Sequence, residues 1–254
     1  MKPLMYPAAA LALGGVGYGL RVWQNATCFA GDGLPISGPA TPAMIVFTVA
    51  AAVIAAALAG LPRWTPVPLC AVFAKNKAAA QLLRLTAVPC LLFAYQLSSQ
   101  LEAFSVSSAA FSTAQVFLPR VLIVLAVCAV LSVAALPSWT QGEPKAPLAF
   151  SPAVMVLFSG LALITLYQLH ANIPNVLLYV WMLFAGLAGL IAWLCTASMA
   201  YTEKPRIRRC VFFAFLAVVM SCVSLADAAG PFLPLFIAQI LWFSIQLGLM
   251  ADER

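Results

Sequence analysis

Apolar residues occupy eight long segments of the chain, and short polar stretches separate them. The segments cover residues 3–22, 42–61, 85–104, 116–136, 152–169, 175–201, 210–229 and 232–250. An α-helix needs about 20 apolar residues to cross a bilayer, and each segment is close to that length. The pattern therefore predicts an all-α fold, a polytopic membrane bundle of eight transmembrane helices.

The composition excludes a soluble globular fold. The chain has 254 residues, of which 64% are hydrophobic and 8% are charged, whereas soluble domains carry about 25% charged residues. The loops leave no room for a separate soluble domain, so we expect residues 1–254 to form a single integral membrane domain. We interpret segment 3–22 as a retained first helix, because no small-x-small cleavage site follows it.

The basic residues are distributed unevenly between the two sides of the predicted bundle. With eight spans, all of the 13 Lys and Arg residues except Arg21 and Arg120 fall on the side that also holds both termini. Lys and Arg are enriched in cytoplasmic loops, so we predict that both termini are cytoplasmic. A seven-span model would separate the basic clusters near residues 63–84 and 203–209, which makes it the less favoured alternative.

The net charge of +6 does not indicate nucleic-acid binding, because the cations lie at predicted helix ends as membrane topology requires. Membrane lipid is the expected partner instead. Residues 66–84 fit either a short amphipathic helix against anionic lipid or a plain basic loop. The basic stretch 202–209 is interpreted as a signal that fixes the orientation of the chain.

Two stretches of the sequence match each other. Residues 61–65 (Leu-Pro-Arg-Trp-Thr) end the second segment, and residues 136–140 (Leu-Pro-Ser-Trp-Thr) end the fourth. We therefore predict about four tandem two-helix hairpins as pseudo-repeats, at about 1–72, 80–145, 150–204 and 209–254. Gly15 and Gly19, four residues apart in the first segment, are expected to allow close helix packing.

Polar side chains gather at the predicted outer ends of the segments, where they are the main evidence on function. Tyr95, Ser99 and Glu102 share one face of the third segment, and Glu102 could pair with Arg120. We predict an outward-facing ligand site lined by Tyr95, Gln96, Ser99, Glu102, Arg120, Tyr167, Gln168, His170 and Asp227. The alternative is that these residues only anchor helices in the headgroup region.

The sequence predicts no catalytic residue, metal site or cofactor. A single His and three outer carboxylates are too few for a metal centre. A Ser–His–Asp set could be drawn from Ser99, His170 and Asp227, but no nucleophile elbow accompanies it. The seven cysteines lie mostly within the segments and are interpreted as small apolar core residues.

These observations favour a membrane protein that binds a small polar or amphipathic ligand at an outward-facing pocket, as a transporter or a sensor. One alternative is a non-catalytic membrane subunit or scaffold that docks on a membrane protein partner. The other is an intramembrane lipid-modifying enzyme, and we expect the chain not to be an enzyme.

The first predicted outer loop runs from Phe29 to Thr41 and contains Gly33-Leu34-Pro35 and Gly38-Pro39-Ala40-Thr41. It resembles loops of uncharacterised multi-pass membrane proteins of Gram-positive gut bacteria, which carry a Phe…Gly-Leu-Pro…Gly-x-Pro-Ala-Thr pattern. The resemblance implies a bacterial cell membrane and brings no known activity.

Overall fold

The computed structural model describes residues 4–29, 34–60, 64–66, 68, 71–73, 76–107, 113–134, 146–170, 175–202, 205–227, 230 and 232–252. These residues are almost entirely helical and form no strand; Phe29 and Pro35 make one isolated antiparallel bridge. The prediction of an all-α fold is confirmed for this part of the chain.

A helix overlaps each of the eight predicted apolar segments. In chain order the helices are α1 (Met5–Thr27), α2 (Ala40–Gly60), α3 (Lys77–Leu82), a 3-10 turn (Leu83–Thr86), α4 (Ala87–Ser107), α5 (Thr113–Ala134), α6 (Ala146–His170), a 3-10 turn (Val176–Leu178), α7 (Val180–Tyr201), α8 (Ile207–Ser224) and α9 (Phe232–Asp252).

Several of these helices suit a bilayer by length and composition. Among the described residues, α2, Val180–Ala200 within α7, α8 and α9 are long and apolar enough to cross a membrane, while Arg120–Val133 and Pro152–Gln168 are shorter apolar helices. Their apolar character supports an integral membrane protein.

Helix α8 lies at the centre of the bundle. It packs against α1, α2, α7 and α9, and 72% of its residues are buried, against 28% of the apolar window of α2. A helix that is apolar on all sides can be surrounded by protein, whereas α2 leaves most of its side chains on the outside of the bundle. The centre of the fold is therefore formed by the C-terminal third of the chain.

Small residues allow α1 to approach this central helix closely. A Cβ atom placed on Gly14 would lie 2.7 Å from Cβ of Cys222, and one on Gly17 would lie 2.5 Å from the Phe47 ring and 2.6 Å from Val223. Real Cβ atoms do not approach other atoms so closely, so the packing of α1 on α2 and α8 depends on these two glycines.

The sequence assigned this packing role to Gly15 and Gly19, and that assignment was wrong. Both are exposed, and a Cβ atom on either would meet nothing within 4 Å. The four-residue spacing marks a face of the helix, but it does not say whether that face meets protein or lipid. Here the neighbouring face of α1 is the one that is buried.

The third apolar segment begins earlier than predicted. Helix α3 and the 3-10 turn continue directly into α4, and both contact α9, so residues 77–84 are helical and not a plain loop, while the described side chains of α3 are exposed. Pro89 lacks a backbone N–H and its ring crowds the carbonyl of residue 85, which disfavours regular α-helix there. The 3-10 turn lies at that place, and Thr86 Oγ1 donates to the Leu83 carbonyl at 2.6 Å.

Five polar side chains described inside α7, α8 and α9 are hydrogen-bonded to one another in two groups. Gln246 Nε2 donates to Thr196 Oγ1 at 2.9 Å, and Trp242 Nε1 donates to Gln246 Oε1 at 2.9 Å. About two turns from Gln246 along α9, Gln239 Oε1 accepts a hydrogen bond from Ser221 Oγ at 2.9 Å. These hydrogen bonds connect the three helices, so the glutamines hold the core together.

The predicted pseudo-repeats stay a prediction. Trp64 of the first copy is described: its Nε1 donates to the Ala59 carbonyl at 2.9 Å, and its ring packs on Tyr6. Trp139, the matching residue of the second copy, lies outside the described residues.

The glycine packing predicts opposite effects for two neighbouring substitutions in α1. Gly17→Ala should lower the free energy of unfolding by about 1–2 kcal/mol, because its methyl group collides with Phe47 and Val223. Gly15→Ala should leave it unchanged or raise it by up to about 1 kcal/mol, because alanine is the better helix former. Denaturant unfolding in detergent micelles measures both, and equal effects would contradict the packing described here.

Candidate functional site

Arg21 is the most deeply buried charged residue among those described, with 0% of its surface exposed. Its Nε donates to both carboxylate oxygens of Asp227 at 2.8 Å, and Nη1 donates to Gln24 Oε1 at 2.6 Å. Nη2 donates to the backbone carbonyls of Leu177 and Leu178 at 3.1 and 3.0 Å. Every nitrogen of the guanidinium group therefore has an acceptor inside the protein.

The partners of this ion pair are themselves held in place. Asn25 Nδ2 donates to Asp227 Oδ1 at 2.8 Å, and Gln24 Nε2 donates to Thr41 Oγ1 at 3.0 Å. The network thus joins the end of α1 to the start of α2, to the turn before α7 and to the turn after α8. We call this end of the bundle the Arg21 end.

The Asp227 carboxyl lies beyond the last residue of α8, and 4% of its side chain is exposed. Burial raises the pKa of this carboxyl above its usual range, and the hydrogen bonds and charge of Arg21 offset only part of that effect. Arg21 therefore stabilises the ionised form of this carboxyl in a place that disfavours charge.

His170 also belongs to the Arg21 end. Its ring packs against that of Tyr179 with centroids 5.4 Å apart, and its Nδ1 lies 2.8 Å from the Leu166 carbonyl of its own helix. Tyr179 follows Leu178, which accepts from Arg21. The structure therefore places His170 and Asp227 at the same end of the bundle, and no hydrogen bond between them is described.

Five of the predicted site residues lie on the outside of the described bundle. Tyr95 is 72% exposed and Tyr167 is 55% exposed, and Gln168 and Arg120 are also exposed. Ser99 is exposed as well, and its hydroxyl donates to the Gln96 carbonyl of its own helix. The side chain of Glu102, and with it the predicted Glu102–Arg120 pair, lies outside the described residues.

Gln96 differs from these exposed residues. It is half-buried, and its Oε1 is fully buried without a hydrogen-bond partner in the described structure. It lies about one helical turn beyond Phe93, whose ring makes edge-on contacts with Phe158 of α6 at 5.5 Å and with Phe232 of α9 at 5.8 Å. Phe232 begins α9, so the Gln96 amide lies toward the Arg21 end, beyond this aromatic cluster.

Sequence reasoning missed the partner of Asp227. It identified Arg21 and Asp227 as polar residues at the ends of their segments, but it assigned Asp227 to a ligand. The sequence did contain a sign of the pair, because Arg21 and Asp227 carry opposite charges and lie at the same predicted depth of segments one and seven. Predicting the pair would also have required knowing that α1 packs directly on α8.

No group of three His, Cys, Asp or Glu side chains within the described ranges lies close enough together to hold a metal ion. The sequence matches no protein-family model, and comparisons with curated proteins and with solved structures find no match either.

The ion pair predicts different responses to the loss of each partner. Asp227→Asn leaves a buried Arg21 that cannot lose its proton, and it should lower the free energy of unfolding by about 3 kcal/mol, equally at pH 5 and pH 7. Arg21→Met should be comparably destabilising at pH 7, because the Asp227 carboxylate is left buried without its counter-ion.

The Arg21→Met defect should shrink as the pH falls toward about 5. Loss of Arg21 removes the group that lowers the pKa of Asp227, so this pKa rises further above its unfolded value in the variant than in the parent. The folded variant then binds the proton more readily, and its stability recovers as the pH drops through that native pKa. Denaturant unfolding at both pH values measures this. The double variant Arg21→Met/Asp227→Asn should lose less than the sum of the single variants, and simple additivity would contradict the coupling.

Proposed function

We propose that this chain is an integral protein of a bacterial cell membrane, with eight transmembrane helices and both termini in the cytoplasm. The helices that overlap all eight apolar segments support the number of spans. The orientation rests on the basic residues, which gather at one predicted side. In this orientation the Arg21 end faces outward.

The protein then binds a small polar or amphipathic ligand at its outward-facing end. The observation that carries this proposal is the buried Gln96 Oε1, which has no partner within the described part of the chain. Buried polar atoms are nearly always hydrogen-bonded, and a native exception calls for a water or a ligand. A donor on a bound molecule would satisfy this oxygen, and the Phe93 cluster would form an apolar surface beneath it.

The other predicted residues take different roles in this proposal. Asp227 would not contact the ligand, because its carboxylate already accepts hydrogen bonds from Arg21 and Asn25. It would instead hold Arg21, and so the helix ends around the site, in position. His170 would contribute from the neighbouring wall beside Tyr179. Tyr95, Ser99, Glu102, Arg120, Tyr167 and Gln168 would form the rim. Such a site serves a transporter or a sensor equally well.

An intramembrane enzyme is less well supported, because the residues that would form its catalytic set already have other partners. His170 Nδ1 faces a backbone carbonyl, and Asp227 is bound by Arg21 and Asn25. The donors described for the Asp227 carboxylate are thus Arg21 and Asn25, and His170, which a catalytic set would require beside it, is not among them.

A non-catalytic membrane subunit is the second candidate, and α2 favours it. Ala51, Ala55 and Ala59 pack inward, while Val46, Val49 and Val53 lie on the exposed side, which carries small and β-branched side chains. Such a flat surface suits close contact with another transmembrane helix. This candidate would be preferred if the chain purified without any small molecule and in fixed stoichiometry with a second membrane protein.

Gln96→Leu separates binding from folding. Because the Gln96 oxygen is unpaired, the substitution should leave the free energy of unfolding of the ligand-free protein unchanged or slightly higher. It should reduce the small molecules that co-purify with the protein by about tenfold, the equivalent of one buried hydrogen bond to a ligand. Mass spectrometry of denatured extracts measures their amount.

Gln81→Leu is the matched control for that experiment, since Gln81 is exposed on α3. It should leave the co-purifying molecules unchanged. Equal retention by Gln96→Leu and the parent protein would remove Gln96, and with it the main support for an outward ligand site.

The orientation is tested with reporter fusions. Alkaline phosphatase joined after residue 36, 110 or 172 should be active, because these positions are predicted to lie outside. The same enzyme joined after residue 70, 142, 204 or 254 should be inactive, and green fluorescent protein at residue 254 should fluoresce. Active phosphatase at residue 254 would support seven spans and contradict the proposal.

A further inference from the structure

Three arginines lie at the opposite end of the bundle, at the start of α8. Arg206 is the residue before the helix, and Arg208 and Arg209 lie in its first turn. Arg206 provides no side-chain cap for the helix, and the first turn contains no acidic residue. The N-terminus of a helix carries partial positive charge, so the arginines add to a field that favours a bound anion.

These arginines have no anionic partner in the described structure. The ion pair found in the described ranges joins Arg21 to Asp227, and no hydrogen bond is described for the guanidinium group of Arg206, Arg208 or Arg209. All three are exposed. The positive charge at the start of α8 is therefore left without a counter-ion from the described part of the chain.

Two grooves flank this group of charges. One, of about 330 Å³, lies between the end of α7 and the start of α8 and is lined by Arg206, Arg209 and Leu194 among others. The other, of about 370 Å³, lies between Trp64 and the start of α8 and is also lined by Arg206 and Arg209. Both volumes are within the range of small-ligand sites.

In the first groove, the serine and threonine hydroxyls already donate to backbone carbonyls, so the arginines are the side chains left to donate to a ligand. Ser198 Oγ already donates to the Cys195 carbonyl at 2.7 Å, and Thr202 Oγ1 donates to the Ser198 carbonyl at 2.6 Å. Leu194, on the same wall, is 49% exposed. The groove therefore combines forked cationic donors with an apolar surface that continues along α7.

We propose that Arg206 and Arg209 bind the phosphate group of an anionic phospholipid, whose acyl chain lies along the exposed Leu194 side of α7. Arginine matches phosphate with two parallel N–H donors, and basic pockets between transmembrane helices bind anionic headgroups. A free phosphate ion would use the same donors, but it would gain nothing from the apolar wall. The assignment to the cytoplasmic leaflet rests on the proposed orientation, whereas the binding itself does not.

A purely topogenic role is the competing explanation for these arginines, and it depends on charge rather than geometry. Arg206→Lys/Arg209→Lys keeps the positive charge, so the orientation of the chain should be retained. The forked donors are lost, so the affinity for phosphatidylglycerol should fall by about fivefold. Arg206→Gln/Arg209→Gln should lower it by about 25-fold, because each arginine near an anionic headgroup contributes about fivefold.

The measurement is lipid binding to the purified full chain by native mass spectrometry. Phosphatidylglycerol is titrated in detergent micelles beside phosphatidylcholine, and the parent protein should prefer phosphatidylglycerol by at least about tenfold. Arg84→Gln is the control, since it removes one exposed positive charge away from both grooves, and it should change the affinity less than about twofold. Unfolding curves confirm that each variant is folded.

Several results would overturn the proposal. Equal affinity for the two lipids would do so. A loss of phosphatidylglycerol affinity in Arg84→Gln as large as in Arg206→Gln/Arg209→Gln would also do so, because it would indicate a response to net charge. Inorganic phosphate that stabilises the parent protein as well as phosphatidylglycerol does would assign the site to a free anion. Glu203 lies outside the described residues. If Glu203→Gln raised the affinity for phosphatidylglycerol by more than about tenfold, Glu203 would be identified as the native counter-ion of these arginines.

Discussion

The buried charge of Arg21 constrains the whole outward half of the proposed bundle. A guanidinium group cannot lose its proton in a protein, so its donors must find acceptors wherever the chain buries it. Here the acceptors come from Asp227, Gln24 and the carbonyls of Leu177 and Leu178, which belong to three separate parts of the sequence. Any movement of one of these elements would leave a buried charge unpaired, which costs several kcal/mol.

This constraint also explains why α2 keeps its place with so little of its surface buried. Its interior contacts are alanines, Met44 and Phe47, which supply limited apolar area. The hydrogen bond from Gln24 to Thr41 joins the start of α2 to the Arg21 network. Position is therefore fixed at one end by polar contacts and along the helix by the close approach that Gly17 permits.

The sequence predicted where the helices lie along the chain better than it predicted which helices pack against each other. Length and hydropathy located a helix at every apolar segment, because both properties are local. The early start of the third helix at Lys77 was missed because Ala-rich residues beside basic ones fit a separate surface helix and the first turns of a longer helix alike. The faces of α1, the partner of Asp227 and the hydrogen bonds of Gln246 all depend on which helices meet, and no local pattern carries that information.

The candidate site was predicted in its depth but not in its detail. The polar residues near the ends of segments five and seven do lie at one end, because successive helices run in opposite directions. Their individual roles depend on the rotation of each helix about its axis. Tyr95 and Gln96 illustrate this, since adjacent positions on α4 leave one side chain outside the bundle and the other with a buried amide oxygen.

The ring of Phe93 packs edge-on against those of Phe158 and Phe232, and this cluster fills the space between α4, α6 and α9. Phe93 and Phe158 have 0% of their surface exposed, so both rings are enclosed by other parts of the protein. A molecule resting above them could descend only if the helices themselves separated, because close-packed rings cannot turn independently. Permeation through this protein would thus be governed by helix displacement and not by a side-chain gate.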